Sequence, residues 1–352
     1  MLNRFHIHLG VQSRRVLRVL LAVGLAALAP RLAAAAPPPS ERITDNLYGT
    51  RFLNDDDAWV VGAFGTIYRT HDRGKTWQSQ ASHTQEPLFA VDFTDTNEGW
   101  AVGRSGVIVH TNNGGDSWSA QPSQTDHHLF DVDFVDDEVG CVVGDWGTIL
   151  ITKNGGETWE PHSFSRDVIL NSVSMVDRKH AWIAGEAGTV LVTEDGGLTW
   201  SEQHTGADKT LFAIHFADRQ RGWAVGMDAL ILHTQDGGAT WELQNGSGQT
   251  GGLEQVGAGQ TFDNPTLYAV TVVGPNGYAV GEIGAIFTSS DSGRTWTREP
   301  VPQSWGVSWL RDVAIVPGAN GMMVGAGGRR VAIADGRVDL PRESTHAAET
   351  PH

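Results

Sequence analysis

The chain has 352 residues, a formal net charge of −16 and a single cysteine. One thiol excludes an intrachain disulfide framework, and the acidic balance sets the protein against phosphate backbones and anionic headgroups, so no nucleic-acid partner is expected. Cys141 is expected to be a small buried hydrophobe.

Residues 1–36 differ from the rest of the chain. Arg4, Arg14, Arg15 and Arg18 precede an apolar stretch at 19–29, and Ala33 to Ala36 stand before three prolines. A basic start, a short apolar core and a small-residue exit read as an export signal, with an apolar core too short to span a bilayer. The segment carries five arginines and no acid, so the remainder is more acidic still. Residues 13–17, SRRVL, resemble a twin-arginine signal, which leaves the export route open. Residues 37–46 are expected to be a linker or a closing strand, and 341–352 a flexible tail.

From Leu47 the chain repeats itself. Aligned units start at Leu47, Leu88, Leu129, Leu170, Leu211, Leu267 and Leu310, and six of them end in one octapeptide: THDRGKTW, TNNGGDSW, TKNGGETW, TEDGGLTW, TQDGGATW and SSDSGRTW. The first five terminal tryptophans (Trp77, Trp118, Trp159, Trp200, Trp241) are 41 residues apart, and Trp296 follows after 55. The seventh unit keeps the pattern and lacks the octapeptide. Each unit reads as four short strands. The first, LFAVDF in unit two, alternates, with Phe89, Val91 and Phe93 expected on one face and Ala90 and Asp92 on the other. A sheet of this size cannot bury both faces alone, so the units must stack. Radial stacking gives an all-β, seven-bladed β-propeller of four-stranded antiparallel blades over 47–340. The rival β-helix has much shorter repeats. First strands then line a central channel. Gly49, Ala90, Ser172, Ala213 and Ala269 suit the crowding there, while Asp131 and Asp312 would bring charge into it.

The octapeptide falls where strand three turns into strand four. Its glycines supply positive φ, and Asp72, Asn113, Asn154, Asp195, Asp236 and Asp291 can accept N–H bonds across the turn. The tryptophan then covers apolar surface between blades. Asn113 and Asn154 cannot act as acids, bases or strong calcium ligands. The motif is therefore read as structural, and neither metal nor cofactor is expected.

Partner-reading positions are sought where the repeat varies on a fixed turn. The turn after the glycine ending strand two varies most. Phe64, Arg104, Asp145, Trp146, Glu186, Met227, Asp228, Glu282 and Ile283 are expected to ring one face, with Phe64, Trp146, Met227 and Ile283 as apolar anchors. A glycine-rich insertion at 246–262 is a second candidate. Trp305 and Trp309 lie outside the register and are expected to close the ring between blades six and seven. The last strand of blade seven is assigned either to 337–340 or to 41–46.

The octapeptides resemble the Asp-box of sialidases and sortilin-type receptors. Together with the GWAVG strand at 99–103 and 222–226 and the 41-residue spacing, they resemble the photosystem II assembly and stability factor family over residues 47–336. Cys141, Tyr278 and Met322 depart from that pattern by replacing the tryptophan of strand two. The resemblance implies an exported, non-catalytic propeller, periplasmic or lumenal in a photosynthetic host. It also implies a protein client associated with a membrane. A monomer is expected. The alternative is a glycan-binding or sialidase-like propeller. Such catalysis needs an arginine cluster and a Tyr–Glu pair, whereas Tyr48, Tyr68, Tyr268 and Tyr278 all occupy repeat positions that packing explains. His127 and His128 are adjacent and expected to be solvated, pointing apart, so they do not chelate one ion together.

Overall fold

The computed structural model describes residues 42–245, 264–302, 305 and 308–340. The proposed export signal, the insertion at 246–262 and the tail lie outside them. Seven four-stranded antiparallel sheets are each built from consecutive strands in sequence order. Blade one comprises β1 (Leu47–Phe52), β2 (Ala58–Gly62), β3 (Ile67–Thr70) and β4 (Gln78–Gln80), and the numbering continues four strands per blade. The inner strands β1, β5 (Leu88–Phe93), β9 (Leu129–Phe134), β13 (Leu170–Met175), β17 (Leu211–Phe216), β21 (Leu267–Val273) and β25 (Leu310–Val316) pack side by side, with β25 against β1.

Each apolar core belongs to two blades. Trp59, Val61 and Ile67 of blade one bury themselves against Leu88, Val91, Phe93 and Trp118 of blade two. Trp59 stacks on Phe93 at 3.6 Å between centroids, as do Trp100 on Phe134 at 3.6 Å and Trp182 on Phe216 at 3.8 Å. Burying such a ring contributes about 2–3 kcal/mol before entropy. The hydrophobic effect thus holds blade to blade rather than strand to strand.

The octapeptide does two jobs. Within the turn, Asp72 accepts hydrogen bonds from the Thr70 hydroxyl (2.8 Å), the Thr76 N–H (2.8 Å) and the Thr76 hydroxyl (2.6 Å). Where Asn113 stands instead, its amide donates to the Ser117 hydroxyl at 2.9 Å, so the brace survives with one bond reversed. Between blades, the turn's glycine carbonyl is clasped by the preceding blade. Gly114 O accepts from the Trp59 indole (3.2 Å) and from Gln80 Nε2 (3.0 Å). Gly155 O accepts from Trp100 (3.1 Å) and Gln121 (2.9 Å), and Gly237 O from Trp182 (3.0 Å) and Gln203 (2.8 Å). Two of these glutamines also receive the next octapeptide's indole, Trp118 on Gln80 at 3.2 Å and Trp159 on Gln121 at 3.4 Å, whereas Gln203 Oε1 and the Trp241 indole nitrogen are each buried without a hydrogen-bond partner among the described residues.

The seam between blades three and four lacks this clasp. Cys141 replaces the strand-two tryptophan and is fully buried, its thiol pushed up by burial. His162 stands where blades one, two, four and five have glutamine. The Trp200 indole nitrogen is buried without a hydrogen-bond partner among the described residues, as is that of Trp241 in a seam that keeps its glutamine.

Blade seven is completed by β28 (Arg337–Val338) on β27 (Arg330–Ala334), so its fourth strand comes from residues that follow β27 and not from 41–46. The ring closes without strand exchange. Asp312 Oδ2 accepts the Thr50 N–H at 2.8 Å, Asn46 Oδ1 accepts the Gly327 N–H at 2.9 Å, and Leu47, Phe52 and Trp77 share a core with Val316, Met322 and Val324. Trp305 fills the space between blades six and seven beneath Arg329, whose guanidinium lies 4.4 Å above the ring. Trp309 instead reaches blade one and stacks on Tyr48 at 5.9 Å.

Candidate binding face and channel mouth

Every inner strand carries the same irregularity. Its first residue pairs with the glycine ending strand two, its third with the residue before that glycine, and its second has no partner. Such a bulge re-aims the extra side chain. The second residues are Tyr48, Phe89, Phe130, Asn171, Phe212, Tyr268 and Arg311, and all are half-buried around the channel mouth. This corrects the alternation expected from sequence. Val91 and Phe93 enter the inter-blade core, whereas Phe89 leaves it and faces the mouth. Tyr48 and Tyr268 likewise belong to the rim.

The rim forms two aromatic arcs. Tyr48, Phe89 and Phe130 follow one another at 5.9 and 5.6 Å, with Trp309 stacked behind Tyr48 and His128 edge-on to Phe130. Across the mouth Phe212 and Tyr268 lie 5.4 Å apart, and the Arg311 guanidinium sits 4.7 Å over Tyr268 and 6.0 Å from Phe212. Asn171 separates the arcs on one side; its amide donates to Leu211 O at 2.8 Å.

Below the rim is a cavity of about 290 Å³. Its third- and fifth-position side chains cap the backbone of the next blade's inner strand, whose edge would otherwise be unsatisfied. Asp131 accepts the Val173 N–H at 2.9 Å, Asp92 that of Phe134 at 2.8 Å and Asp133 that of Met175 at 2.7 Å. His215 donates from Nε2 to Val272 O at 2.9 Å. Burial raises all four channel carboxylates. Asp131 is pushed up to about 7 against its two N–H bonds, and Asp133 is driven well above the ordinary range by burial and then by the charge of Asp92. Asp92 pairs with Arg51, Nε to Oδ1 at 3.0 Å.

The turns after strand two crown the same end, because each begins at the glycine paired with the start of the inner strand. A Cβ at Gly62 would lie 2.1 Å from Asn46 O, so the strand must end in glycine. The second turn residue is left-handed in every blade. Phe64, Ser105, Trp146, Ala187, Asp228, Ile283 and Gly327 have φ between 52° and 60°. Only blade seven uses the residue suited to that conformation, which costs other residues about 1–2 kcal/mol. Phe64 (71%), Trp146 (59%) and Met227 (41%) are among the most exposed large hydrophobic residues, while Ile283 is half-buried.

The acids of the crown have local partners. Asp145 accepts the His128 N–H (2.8 Å), Glu186 that of Ile169 (3.0 Å) and Glu282 that of Thr266 (3.1 Å), each tying a turn to its own inner strand. Asp228 pairs with Lys209 at 3.0 Å. Arg104 is exposed. His127 and His128 are each engaged by the protein: His127 Nδ1 lies 2.7 Å from Thr148 Oγ1, and His128 Nδ1 accepts the Ser105 N–H at 3.2 Å. Among the described residues no group of His, Cys, Asp or Glu is placed to hold a metal ion.

One constellation went unread in the sequence. The Tyr268 hydroxyl donates to Glu282 Oε1 at 3.1 Å beside Arg311, a Tyr–Glu pair at the channel mouth. Burial and the Glu282 charge push this phenol up to about 12, the wrong direction for a nucleophile.

A closed ring of seven blades with an aromatic-rimmed channel, crowned by strained turns, defines a β-propeller with one elaborated face. The chain belongs to the family described as photosynthesis system II assembly factor YCF48, whose profile matches residues 40–124, 118–205 and 200–304. No curated protein matches in sequence. Among solved structures, YCF48 bound to D1 peptide is 19% identical, with a TM-score of 0.66 over 86% of this chain and 96% of that one. YCF48 from Cyanidioschyzon merolae is 19% identical, with a TM-score of 0.65 over 84% and 97%. The GH74 xyloglucanase of Xanthomonas campestris is 13% identical, with a TM-score of 0.63 over 83% of this chain but 52% of its own.

Proposed function

We propose that the protein is a non-catalytic scaffold, exported to the periplasm or to the lumen of a photosynthetic host. There, as a monomer, it holds a membrane-associated protein client on the crown and channel mouth during assembly. The carrying observation is the left-handed turn, where six blades keep side chains in a conformation that glycine would adopt without strain. Strain retained without a packing return is a mark of function, and the exposed Phe64, Trp146 and Met227 are the residue types that anchor protein interfaces. Family membership supports the same reading, and the D1 peptide on a structural relative makes a peptide segment of a membrane protein a reasonable client.

Affinity capture of the tagged protein from gently solubilised host envelopes tests this. Arg104→Glu combined with Trp146→Ala should lose a membrane-protein client while the melting temperature stays unchanged. Loss of both together would make these residues scaffold. The Tyr268–Glu282 pair favours a glycan-binding or glycan-cleaving reading as the second choice, against which stand the raised phenol and, among the described residues, the one arginine over its ring. Saturable binding on a glycan array, abolished by Tyr268→Phe, would establish that reading in its place.

A further inference from the structure

We infer that the channel mouth is a receptor for one basic side chain of the client, a lysine or arginine that enters over the Tyr48–Phe89–Phe130 arc and reaches the Asp131 carboxylate. This rests on the protein-client reading and names what the mouth recognises.

The two arcs differ in one respect. The Phe212–Tyr268 arc already carries a cation, the guanidinium of Arg311 at 4.7 Å over Tyr268. The opposite arc presents the same kind of ring faces at similar spacing, and no cation of the described residues lies over them. An aromatic face attracts a cation through its quadrupole, most strongly when partly desolvated, as in this half-buried rim. The protein thus supplies its own precedent for what the free arc accepts.

Charge matching in the channel points the same way. Asp92 is paired with Arg51. Arg311 adjoins Asp312 in sequence and feels its field most among the channel carboxylates, with a smaller contribution from Asp131, while Arg51 acts more weakly on Asp133 than burial does. Asp131 and Asp133 accept backbone N–H bonds and, among the described residues, have no cation within ion-pair distance. Asp131 lies one residue deeper than Phe130, within reach of a flexible four-carbon stem. Burial and the neighbouring carboxylates hold both groups toward the neutral form. An incoming cation would relieve that unfavourable crowding. A chain of net charge −16 also draws basic segments toward it at long range.

The test uses the full chain, with the Trp309 indole resonance as a reporter beside Tyr48. Three probes are titrated: Nα-acetyl-lysine methylamide, its Nε-acetylated form, and Nα-acetyl-glutamate methylamide. The lysine probe should shift the reporter saturably. Acetylation should weaken binding at least about tenfold through loss of the charge. Asp131→Asn should weaken the lysine probe similarly, and Phe89→Leu, which keeps an apolar side chain and removes the ring face, should weaken it several-fold at unchanged melting temperature. Binding of the glutamate probe in place of lysine would overturn the inference and assign the mouth to anions through Arg311. So would silence of all three probes. Client capture that survives Asp131→Asn and Phe89→Leu, yet fails with Arg104→Glu/Trp146→Ala, would leave the scaffold function standing and remove only this receptor.

Discussion

Asp195 and Asp131 are one residue type at opposite ends of the carboxylate range. Asp195 is held down to about 2 by the Thr199 hydroxyl and N–H, and Asp131 is pushed up to about 7 by burial. The linkage signs are opposite. The turn aspartates contribute stability above the ordinary carboxylate range and lose it as pH falls through their lowered values. Asp131 contributes most below that range and loses its contribution as pH rises toward about 7. His215, held neutral by burial, works against Asp131 over part of that window, so the variant-minus-parent difference is the readout. Asp131→Asn should gain stability relative to the parent as pH rises from about 4 to 8 in thermal melts, whereas a flat difference would put Asp131 in the ordinary range. Asp72→Ala should cost about 1–3 kcal/mol in urea unfolding through three lost bonds, while Asn113→Asp should be nearly neutral. The turn chemistry was legible because six copies could be compared. The glutamine clasp was equally periodic, at Gln80, Gln121, Gln203 and Gln244, but polar residues at a blade edge carry no signal until their partner in the next blade is placed.

At the scale of the element, the inner strand shows where periodicity misleads. Strict alternation puts Phe89 with Val91 and Phe93, and one bulge moves it to the mouth. A bulge does not alter residue type, and LFAVDF reads the same with or without it. The bulge also explains why aromatics recur at the second position without filling a core. The turn after strand two allows display to be separated from scaffold. Phe64→Gly relieves a left-handed φ of 58° while loosening the unfolded chain, so stability should stay within about 1 kcal/mol by chemical denaturation, and client capture should fall. Gly226→Ala, placing a methyl group 2.1 Å from Thr210 O, should instead destabilise by several times that amount.

For the whole molecule, blade count and strand order were legible from the repeat alone. Ring closure was not, since Asp312 with Thr50 and Asn46 with Gly327 join residues more than 260 positions apart. The unequal seams are a property of the assembled ring. Blades three and four lack both tryptophan and glutamine clasps, although Arg178 bridges them through Asp136 at 2.6 Å and Glu138 at 2.8 Å. His162→Gln should offer the Trp200 indole the acceptor that Gln80, Gln121 and Gln244 give theirs and stabilise the protein by about 0.5–1.5 kcal/mol. A decrease in the melting temperature would mean that His162 has a role the clasp cannot replace.

No strand is shared between the first and last blades, so each blade is a self-contained cassette of sequence, and the seam between blades seven and one, where Met322 replaces the tryptophan, is bridged by side chains and not by an exchanged strand. The interruption is therefore movable. Tethering residue 340 to residue 42 and opening the loop between Gln121 and Leu129 should yield a permuted protein with the same ring, crown and mouth. For the same reason, lineages carrying this architecture can add or shed a blade by copying or deleting one reading unit, with no partner strand to be rescued elsewhere.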